Sequence, residues 1–335
     1  MDEIKEGKYK SPALAIFTGI KDLFKKKERV GSIREKERLD NKNVLITGAS
    51  SGLGFAVALQ LAKKGARVYM ACRSGIPGKG NKIKNITGSE TVWMLHVDLS
   101  DFNSIRSMVN RFVDQKVRFD ILICNAAIVP KKSRKTKQGL EEMFMVNYLA
   151  KYTLIRMLLD SECIRMDQAA EKPRIIYVSS ESHRNPAEID WNTFGQYRDY
   201  GIGMTVELYG YYKLLLTTFA YELSRRLNPK NNHKVSVFVL CPGPVNSSIA
   251  REAPILFQPL LKIIFAIFFK SPAKAAEPVV YLATSADLRN KTFDYLHLMT
   301  RKKIDPKASD PENGEKLWEQ SEKLLKEHKI QFLFP

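Results

Sequence analysis

Cysteines and histidines are few in this sequence, and neither type is clustered. The 335 residues contain five histidines and four cysteines, with no C-x-x-C pair and no histidine cluster beside a cysteine. Because metal sites that can be read from a sequence usually show paired Cys or clustered His ligands, we predict no metal site. Three cysteines lie at the ends of predicted buried strands, so we expect buried, reduced thiols in a reducing compartment. The four are Cys72, Cys124, Cys163 and Cys241.

Long apolar runs are also missing. The first ten residues, MDEIKEGKYK, lack the apolar core of a secretory signal, and no apolar stretch is long enough to span a bilayer. We therefore expect no signal peptide, no transmembrane span and a location on the cytoplasmic side. The most apolar stretch, Ala253–Phe269, has seventeen residues, including Lys262 and two prolines. Its apolar residues cover almost the whole helix circumference, which requires burial against protein, an apolar substrate or lipid.

Acidic residues are scarce relative to basic ones. There are 36 acidic and 54 basic residues, a net charge of +18. Such an excess favours an anionic partner: a membrane surface, a phosphorylated cofactor or nucleic acid. The basic cluster Lys131–Lys137 has no recognised nucleic-acid motif or interleaved aromatics beside it, so we predict no nucleic-acid partner. A solvated loop, a membrane-facing patch and a contact for an anionic substrate remain open for that cluster.

Residues 1–40 are predicted to form a basic amphipathic extension. Ser11 and Pro12 open a helix, which runs into the basic segment Lys25–Arg29. This helix could bind anionic lipid as a peripheral anchor, pack on the domain or belong to a solvated tail. Its apolar positions recur at helical spacing: Ala13, Ile16, Phe17, Ile20 and Phe24.

Between residues 41 and 300, predicted strands alternate with predicted helices. Near-continuous apolar strands separated by helices predict a doubly wound (Rossmann) α/β fold, with about seven parallel strands and helices on both faces. Residues 301–335 are predicted as a charged, helical C-terminal tail. The strands are predicted at 44–47, 67–71, 92–97, 121–124, 175–178, 235–240 and 293–298, and the helices at 55–64, 102–113, 140–159, 208–227, 271–282 and 312–326.

The T-G-x-x-x-G-x-G turn lies between the first predicted strand and the following helix. Its glycines allow a tight turn and let a pyrophosphate approach the backbone, where the helix N-terminus supplies N–H groups and positive potential. In this context the motif predicts a dinucleotide site. The residues assigned to it are Thr47, Gly48, Ser50, Ser51, Gly52, Leu53 and Gly54.

The end of the second predicted strand indicates which dinucleotide binds. An NAD site would place an acidic residue there to hold the ribose hydroxyls, whereas this sequence has Arg73 and no carboxylate. A guanidinium favours a 2′-phosphate, so we predict NADP(H). Asp98 is placed for the adenine amino group or as a helix cap. The remaining cofactor residues at the carboxyl edge of the predicted sheet are Leu99, Asn125, Ala126 and Ala127.

Tyr209 and Lys213 stand four residues apart in a predicted helix, so their side chains share one face. An ammonium beside a phenol favours phenolate and lowers the Tyr pKa towards working pH. A surface helix with an incidental Tyr and Lys is the alternative. Tyr211 and Tyr212 are offset from Lys213 and are expected to point elsewhere.

Taken in order, these motifs resemble the short-chain dehydrogenase/reductase family over roughly residues 41–298. The resemblance implies a catalytic tetrad in which Tyr209 is the general acid/base and Ser180 polarises the same substrate oxygen. Lys213 would lower the Tyr209 pKa and bind the nicotinamide ribose. Asn147 would hold a water in a proton relay, or else be a satisfied buried amide. The motifs are the Thr47–Gly54 turn, Asp98, Asn125-Ala126-Ala127, Asn147, Ser179-Ser180, Tyr209-x-x-x-Lys213 and Pro242-Gly243.

The family also implies features beyond the tetrad. Ser247 stands where relatives often have a Thr whose hydroxyl holds the carboxamide of the nicotinamide. Ala127 stands where relatives usually have a glycine, and we expect its extra methyl group to be tolerated. A substrate-covering lid is implied at about residues 250–271, inside a domain of residues 41–300. The cofactor residues implied by the Pro242-Gly243 motif and the residues after it are Pro242, Gly243, Val245 and Ser247.

A narrower similarity is to the retinol dehydrogenase and protochlorophyllide reductase-like branch. That branch acts on apolar substrates, often at membranes, and usually with NADP(H). We therefore expect alcohol–carbonyl interconversion on a retinoid-, steroid- or lipid-like substrate, without the membrane-spanning N-terminus of many relatives. The supporting motifs are Ala71-Cys72-Arg73, Thr136-x-x-Gly139-x-Glu141, Val178-Ser179-Ser180-x-x-His183 and Leu317-Trp318.

A catalytically silent cofactor-binding or scaffolding protein on the same fold is the alternative from another class. The complete tetrad argues against it, because a silent relative has no chemical need for all four residues. The partners expected are an apolar small molecule and an anionic membrane surface, and a homodimer stays open.

Overall fold

Eight strands form one sheet in the computed structural model, which describes residues 29–167, 171–229, 232–243 and 271–332. The strands are β1 (Asn43–Thr47), β2 (Arg67–Cys72), β3 (Val92–His96), β4 (Ile121–Cys124), β5 (Arg174–Val178), β6 (Ser236–Cys241), β7 (Phe293–His297) and β8 (Thr300–Arg301).

The sheet runs in the order β3-β2-β1-β4-β5-β6-β7-β8, and every pair is parallel except β7 with β8. The direction of winding reverses at β1, which pairs with β2 on one side and β4 on the other. Ligands bind at such a switch point in open α/β sheets, outside the carboxyl ends of the strands. The predicted doubly wound fold is confirmed. The difference from about seven strands is β8, whose two residues are too short for a periodicity signal.

Helices cover both faces of this sheet and create two apolar cores. Among the described residues, the α-helices of ten or more residues are α1 (Gly52–Lys63), α2 (Gly78–Thr87), α3 (Phe102–Asp114), α4 (Ala150–Asp160), α5 (Ile202–Leu227), α6 (Pro272–Thr284) and α7 (Pro311–Glu327), and a shorter helix, Pro306–Ser309, precedes α7. One core contains buried residues of α1 and α6, and the other contains those of α3, α4, α5 and α7. Because strands β1 and β4–β6 are almost wholly buried, their sequences are continuously apolar rather than alternating.

Three local features differ from the sequence prediction, and the first is that α5 begins at Ile202, six residues before its predicted start. Helix α2 was not predicted, because its only buried residues are Gly80 and Ile83 and it has no apolar stripe. The helix predicted at 140–159 instead consists of a short turn, Glu142–Phe144, a π-helical segment, Met145–Leu149, and then α4. Such π-helical segments occur mostly as single turns, often at functional sites.

The two ends of the described chain both pack on the domain. Near the start, the backbone N–H of Val30 donates to the carbonyl of Met299 at 2.9 Å. Near the other end, α7 buries Leu317 and Trp318 against the core that contains α5. The predicted N-terminal helix before residue 29, the lid residues up to 270, Val245 and Ser247 lie outside the described residues. In the ranges that the structure describes, no helix combines the length and apolarity needed to cross a membrane.

Candidate active site

A cavity of about 360 Å³ lies along the carboxyl edge of the sheet. In the sheet order β3-β2-β1-β4-β5-β6, each of the six strands is followed by a residue that lines the cavity. The strand order therefore also gives the order of these residues along the cavity. From one end to the other they are Asp98, Arg73, Gly48, Asn125, Ser180 and Pro242.

The glycine turn after β1 is shaped for close approach of a ligand. Gly48 has φ +68°, and a Cβ there would lie 2.9 Å from Ala126 Cα. A Cβ on Gly54 would lie 2.3 Å from the Gly48 carbonyl oxygen. The Ser51 side chain makes no capping hydrogen bond at the start of α1. The N–H groups of this helix N-terminus therefore fit the pyrophosphate of a dinucleotide.

Thr47, predicted as a cofactor residue, holds the edge of the site together and is not among the described residues that line the cavity. Its hydroxyl oxygen accepts from the backbone N–H of Asn125 at 3.1 Å and of Ala126 at 3.2 Å. In return the Asn125 side-chain amide donates to the carbonyls of Thr47 at 3.0 Å and Gly48 at 3.2 Å. These bonds lock the ends of β1 and β4 together beneath the glycine turn.

Arg73 and Asp98 lie at the end of the cavity formed by β2 and β3. The Arg73 side chain is 62% exposed, with Nη1 3.9 Å from a carboxylate oxygen of Glu142. Asp98 Oδ1 accepts from the Ser100 backbone N–H at 2.9 Å. Helix α3 is capped by Asp101, so the alternative that Asp98 is its cap is wrong.

Tyr209, Ser180 and Lys213 meet at the other end of the cavity. The Lys213 ammonium nitrogen lies 5.4 Å from the centroid of the Tyr209 ring, and it donates to the Val178 carbonyl at 2.8 Å. Ser180 Oγ accepts from the backbone N–H of Ser182 at 3.2 Å. Since that bond uses the oxygen as an acceptor, the Ser180 hydroxyl hydrogen remains as a donor, and its side-chain partner in the cavity is Tyr209.

Burial dominates the protonation of the Tyr209–Lys213 pair. It raises the pKa of Tyr209, Cys241 raises it further, and the Ser180 hydroxyl opposes both. Burial also lowers the pKa of Lys213 to about 8, because removal from water disfavours the charged ammonium. The net shift of the Tyr209 pKa is therefore opposite in sign to the lowering that we predicted from Lys213.

The two tyrosines next to Tyr209 in the helix, Tyr211 and Tyr212, are engaged away from Lys213, as the spacing predicted. The Tyr211 hydroxyl donates to the carbonyl of Asp190 at 3.0 Å. Tyr212 is buried beside Glu141.

Asn147 lies in the π-helical segment and is fully buried. Its amide makes two bonds with the backbone of Ile128, accepting at 2.9 Å and donating at 2.9 Å. Its main-chain carbonyl accepts from the ammonium of Lys151 at 3.0 Å. The satisfied buried amide that we kept as an alternative is therefore the geometry observed for its side chain.

Several residues of the cavity wall were not predicted. All but Val146, which lies in the π-helical segment, follow or end the strands, so the carboxyl-edge rule applied to every strand would have found most of them. They are Ala71, Cys72, Ser74, Val97, Ile128, Val146, Val178, Ser179 and Cys241.

The fold and this site define a nicotinamide-dinucleotide oxidoreductase of the doubly wound class, and comparison with known proteins gives the family. A model of the short chain dehydrogenase family matches residues 42–190. Human retinol dehydrogenase 13 is 32% identical over 320 residues, which cover 93% of each chain. Mouse retinol dehydrogenase 12 is 32% identical over 290 residues, covering 86% of this chain and 87% of the relative. The chain belongs to the short-chain dehydrogenase/reductase family, in its retinol dehydrogenase-like branch.

Solved structures agree on the fold. An uncharacterized protein from Mycobacterium paratuberculosis superposes with a TM-score of 0.67 at 25% identity, covering 91% of this chain and all of its own. A 3-ketoacyl-(acyl-carrier-protein) reductase from Brucella melitensis, complexed with NADH, has a TM-score of 0.57 at 20% identity over 81% of this chain and 100% of its own. RhlG from Pseudomonas aeruginosa, complexed with NADP, has a TM-score of 0.60 at 20% identity over 82% of this chain and 100% of its own. The shared fold thus occurs with either dinucleotide.

Proposed function

We propose that this protein is an NADP(H)-dependent oxidoreductase that interconverts an alcohol and a carbonyl on an apolar substrate. The observation that carries the proposal is a single cavity with a guanidinium at one end and a Ser–Tyr–Lys group at the other. The glycine turn lies between these ends and fits the pyrophosphate.

The proposed proton chemistry uses three side chains of the cavity. A nicotinamide dinucleotide supplies or accepts the hydride when bound. Tyr209, whose raised pKa keeps its phenol protonated, donates a proton to the carbonyl oxygen in reduction and accepts it back in oxidation. Ser180 donates a hydrogen bond to the same oxygen. Lys213 uses one N–H on the Val178 carbonyl and has two others for the ribose hydroxyls.

The preference for NADP(H) rests on Arg73. Its exposed side chain lies at the cavity end opposite Tyr209, after β2. Its ion pair with Glu142 is long, at 3.9 Å, and the exposed guanidinium can exchange that contact for a 2′-phosphate. Asp98 Oδ1 is occupied by Ser100, and its second carboxylate oxygen is proposed to accept from the adenine amino group.

The apolar character of the substrate rests on the start of α5. Ile202 and Val206 are 66% and 46% exposed, and the spacing 202, 206, 209, 213 places them on the helix face of Tyr209 and Lys213. An exposed apolar stripe that leads to the catalytic pair suits a retinoid-, steroid- or lipid-like molecule. The retinol dehydrogenase names of the relatives are consistent with this substrate class.

An anionic membrane surface is the proposed partner of this region. The exposed Lys131 and Lys132 follow Pro130, whose carbonyl accepts from the Thr205 hydroxyl at 3.1 Å. This bond holds the basic loop beside the exposed apolar residues of α5. Basic and apolar groups together are what binding to an anionic bilayer requires.

A substrate panel tests the proposal. The panel contains all-trans-retinal, a long-chain fatty aldehyde and a 3-ketosteroid, and turnover is followed as loss of NADPH absorbance. We expect turnover of at least one member, lost in Tyr209→Phe. Tight NADPH binding without turnover of any carbonyl in the panel would instead favour a catalytically silent cofactor-binding protein.

A further inference from the structure

The 3₁₀ turn that follows Ser180, Glu181–Arg184, is held by a segment more than one hundred residues away in the sequence. The Tyr295 hydroxyl donates to one carboxylate oxygen of Glu181, and the Lys302 ammonium donates to the other at 3.0 Å. Arg184 Nη2 donates to the carbonyl of Lys303 at 2.6 Å. None of these partners from the C-terminal segment is among the described residues that line the cavity.

His183 is the buried centre of this arrangement. It is 0% exposed, and the Tyr295 ring packs edge-on against it with centroids 5.4 Å apart. Its Nδ1 lies 2.7 Å from the Ser180 carbonyl oxygen, and its Nε2 lies 3.2 Å from the backbone nitrogen of Asp305. A backbone nitrogen can only donate, so Nε2 accepts. The proton of the neutral ring is therefore on Nδ1, which donates to Ser180.

Through these bonds His183 fixes the peptide that carries Ser180. The Ser180 carbonyl accepts twice, from His183 Nδ1 and from the His183 backbone N–H at 3.2 Å. The Ser180 hydroxyl oxygen accepts from Ser182 in the same turn. With the carbonyl and the hydroxyl oxygen both held, the hydroxyl hydrogen is left to donate on the side of Tyr209.

We propose that His183 is a positioning residue, which links Ser180 to the segment Tyr295–Asp305 and so aims the Ser180 hydroxyl at the substrate oxygen. This inference rests on the proposed function, because it assumes that Ser180 binds that oxygen. It also means that residues beyond 300 contribute to the site without contacting it.

Two substitutions separate the two bonds of the ring. The side-chain nitrogen of an Asn lies where His Nδ1 lies, so His183→Asn keeps the donor to Ser180. The longer Gln places its amide near the Nε2 position, so His183→Gln keeps an acceptor for Asp305 and loses the bond to Ser180. We expect kcat to fall about tenfold in His183→Gln and less than about threefold in His183→Asn, with the KM for NADPH unchanged in both. His233→Gln, a half-buried histidine before β6, is the matched control.

A second readout does not depend on activity. In the full-length protein, ¹⁵N NMR of the histidine rings is expected to show one ring in the Nδ1–H tautomer that does not titrate above pH 5, and its signals vanish in His183→Asn. Burial lowers the pKa of His183 to about 4, in surroundings that include Glu181, Arg184 and Asp305. An Nε2–H tautomer, or titration near pH 6.5, would overturn the assignment.

The outcomes distinguish this inference from the proposed function. Wild-type kcat in Ser180→Ala would contradict the proposed role of Ser180. A large loss in Ser180→Ala with wild-type kcat in His183→Gln would overturn only the positioning role. If His183→Gln does not fold, Tyr295→Phe keeps the ring packing and removes only the bond to Glu181. A lower kcat at unchanged KM for NADPH then supports the link, and a wild-type kcat opposes it.

Discussion

A Cβ on Gly210 would lie 2.8 Å from the carbonyl oxygen of Ser182. Helix α5 therefore touches the turn after β5 at the residue next to Tyr209, where only glycine fits. This close approach brings Tyr209 and Ser180 to the same end of the cavity. The separation of Tyr209 and Ser180 thus depends on a contact between the backbone at Gly210 and the backbone at Ser182. Such a contact is stiff, because no side chain lies between the two segments to adjust.

The first prediction concerns this contact. In Gly210→Ala the new methyl must push the turn and the helix apart, so we expect kcat to fall about tenfold with little change in NADPH affinity. Gly203→Ala is the matched control, because Gly203 is in the same helix and a Cβ there would meet no other described segment within 4 Å. Equal kcat values for the two variants would show that this contact does not determine the relative position of Tyr209 and Ser180.

The second prediction concerns cofactor choice. Arg73→Ala is expected to raise the Kd of NADPH about tenfold and to leave that of NADH nearly unchanged, because only NADPH has the 2′-phosphate. Fluorescence titration of both dinucleotides gives the two constants. Arg67→Ala is the control, since Arg67 begins the same strand at its opposite end. A wild type that binds NADH more tightly than NADPH would refute the preference.

The third prediction concerns acid stability. The pKa of His183 is lowered by burial to about 4, below its ordinary 6.5. As the pH falls, the unfolded chain takes up this proton first. The contribution of neutral His183 to the free energy of unfolding is therefore fully present above pH 6.5. It is lost as the pH falls from 6.5 to 4, and the loss is about 3 kcal/mol in total.

Urea unfolding at pH 7 and pH 4.5 measures this effect. His183→Asn has no titrating ring, so the difference in unfolding free energy between the two pH values should shrink by about 2 kcal/mol. A difference as large as in the wild type would mean that other groups cause the acid sensitivity.

The fourth prediction concerns the apolar stripe of α5. Wild-type protein is expected to sediment with vesicles of phosphatidylserine and phosphatidylcholine, less so at high salt because the basic loop contributes. The double variant Ile202→Ser, Val206→Ser should bind several-fold more weakly. Ile86→Ser is the control, because Ile86 is 49% exposed on α2. Equal binding of the double variant and the control would show that the exposed apolar residues of α5 do not bind the membrane.

The parallel strands, the glycine turn and the Tyr209–Lys213 pair could be predicted because each is encoded locally. Strands buried on both faces give continuous apolar runs, and an i,i+4 pair shares a helix face by geometry alone. Most residues predicted to bind cofactor do line one cavity, because the carboxyl ends of parallel strands share one edge.

Contacts between distant segments and pKa shifts caused by burial could not be predicted from the sequence. The bond between His183 and Asp305 joins residues 122 positions apart, and no periodicity indicates it. Thr47 carries a polar group at a motif position, yet its hydroxyl is used by the backbone of Asn125 and Ala126. The raised pKa of Tyr209 depends on how deeply the ring is enclosed, which spacing to Lys213 does not specify.

Transfer of deuterium from cofactor to substrate tests the central claim most directly. The protein is incubated with all-trans-retinal, or the panel carbonyl that it reduces fastest, and with NADPH deuterated at both C4 positions. Mass spectrometry of the alcohol should show one deuterium on the carbinol carbon with wild type and with Tyr211→Phe, and almost no product with Tyr209→Phe that still binds NADPH. Product formation by Tyr209→Phe at the wild-type rate, or an alcohol without deuterium, would contradict the account.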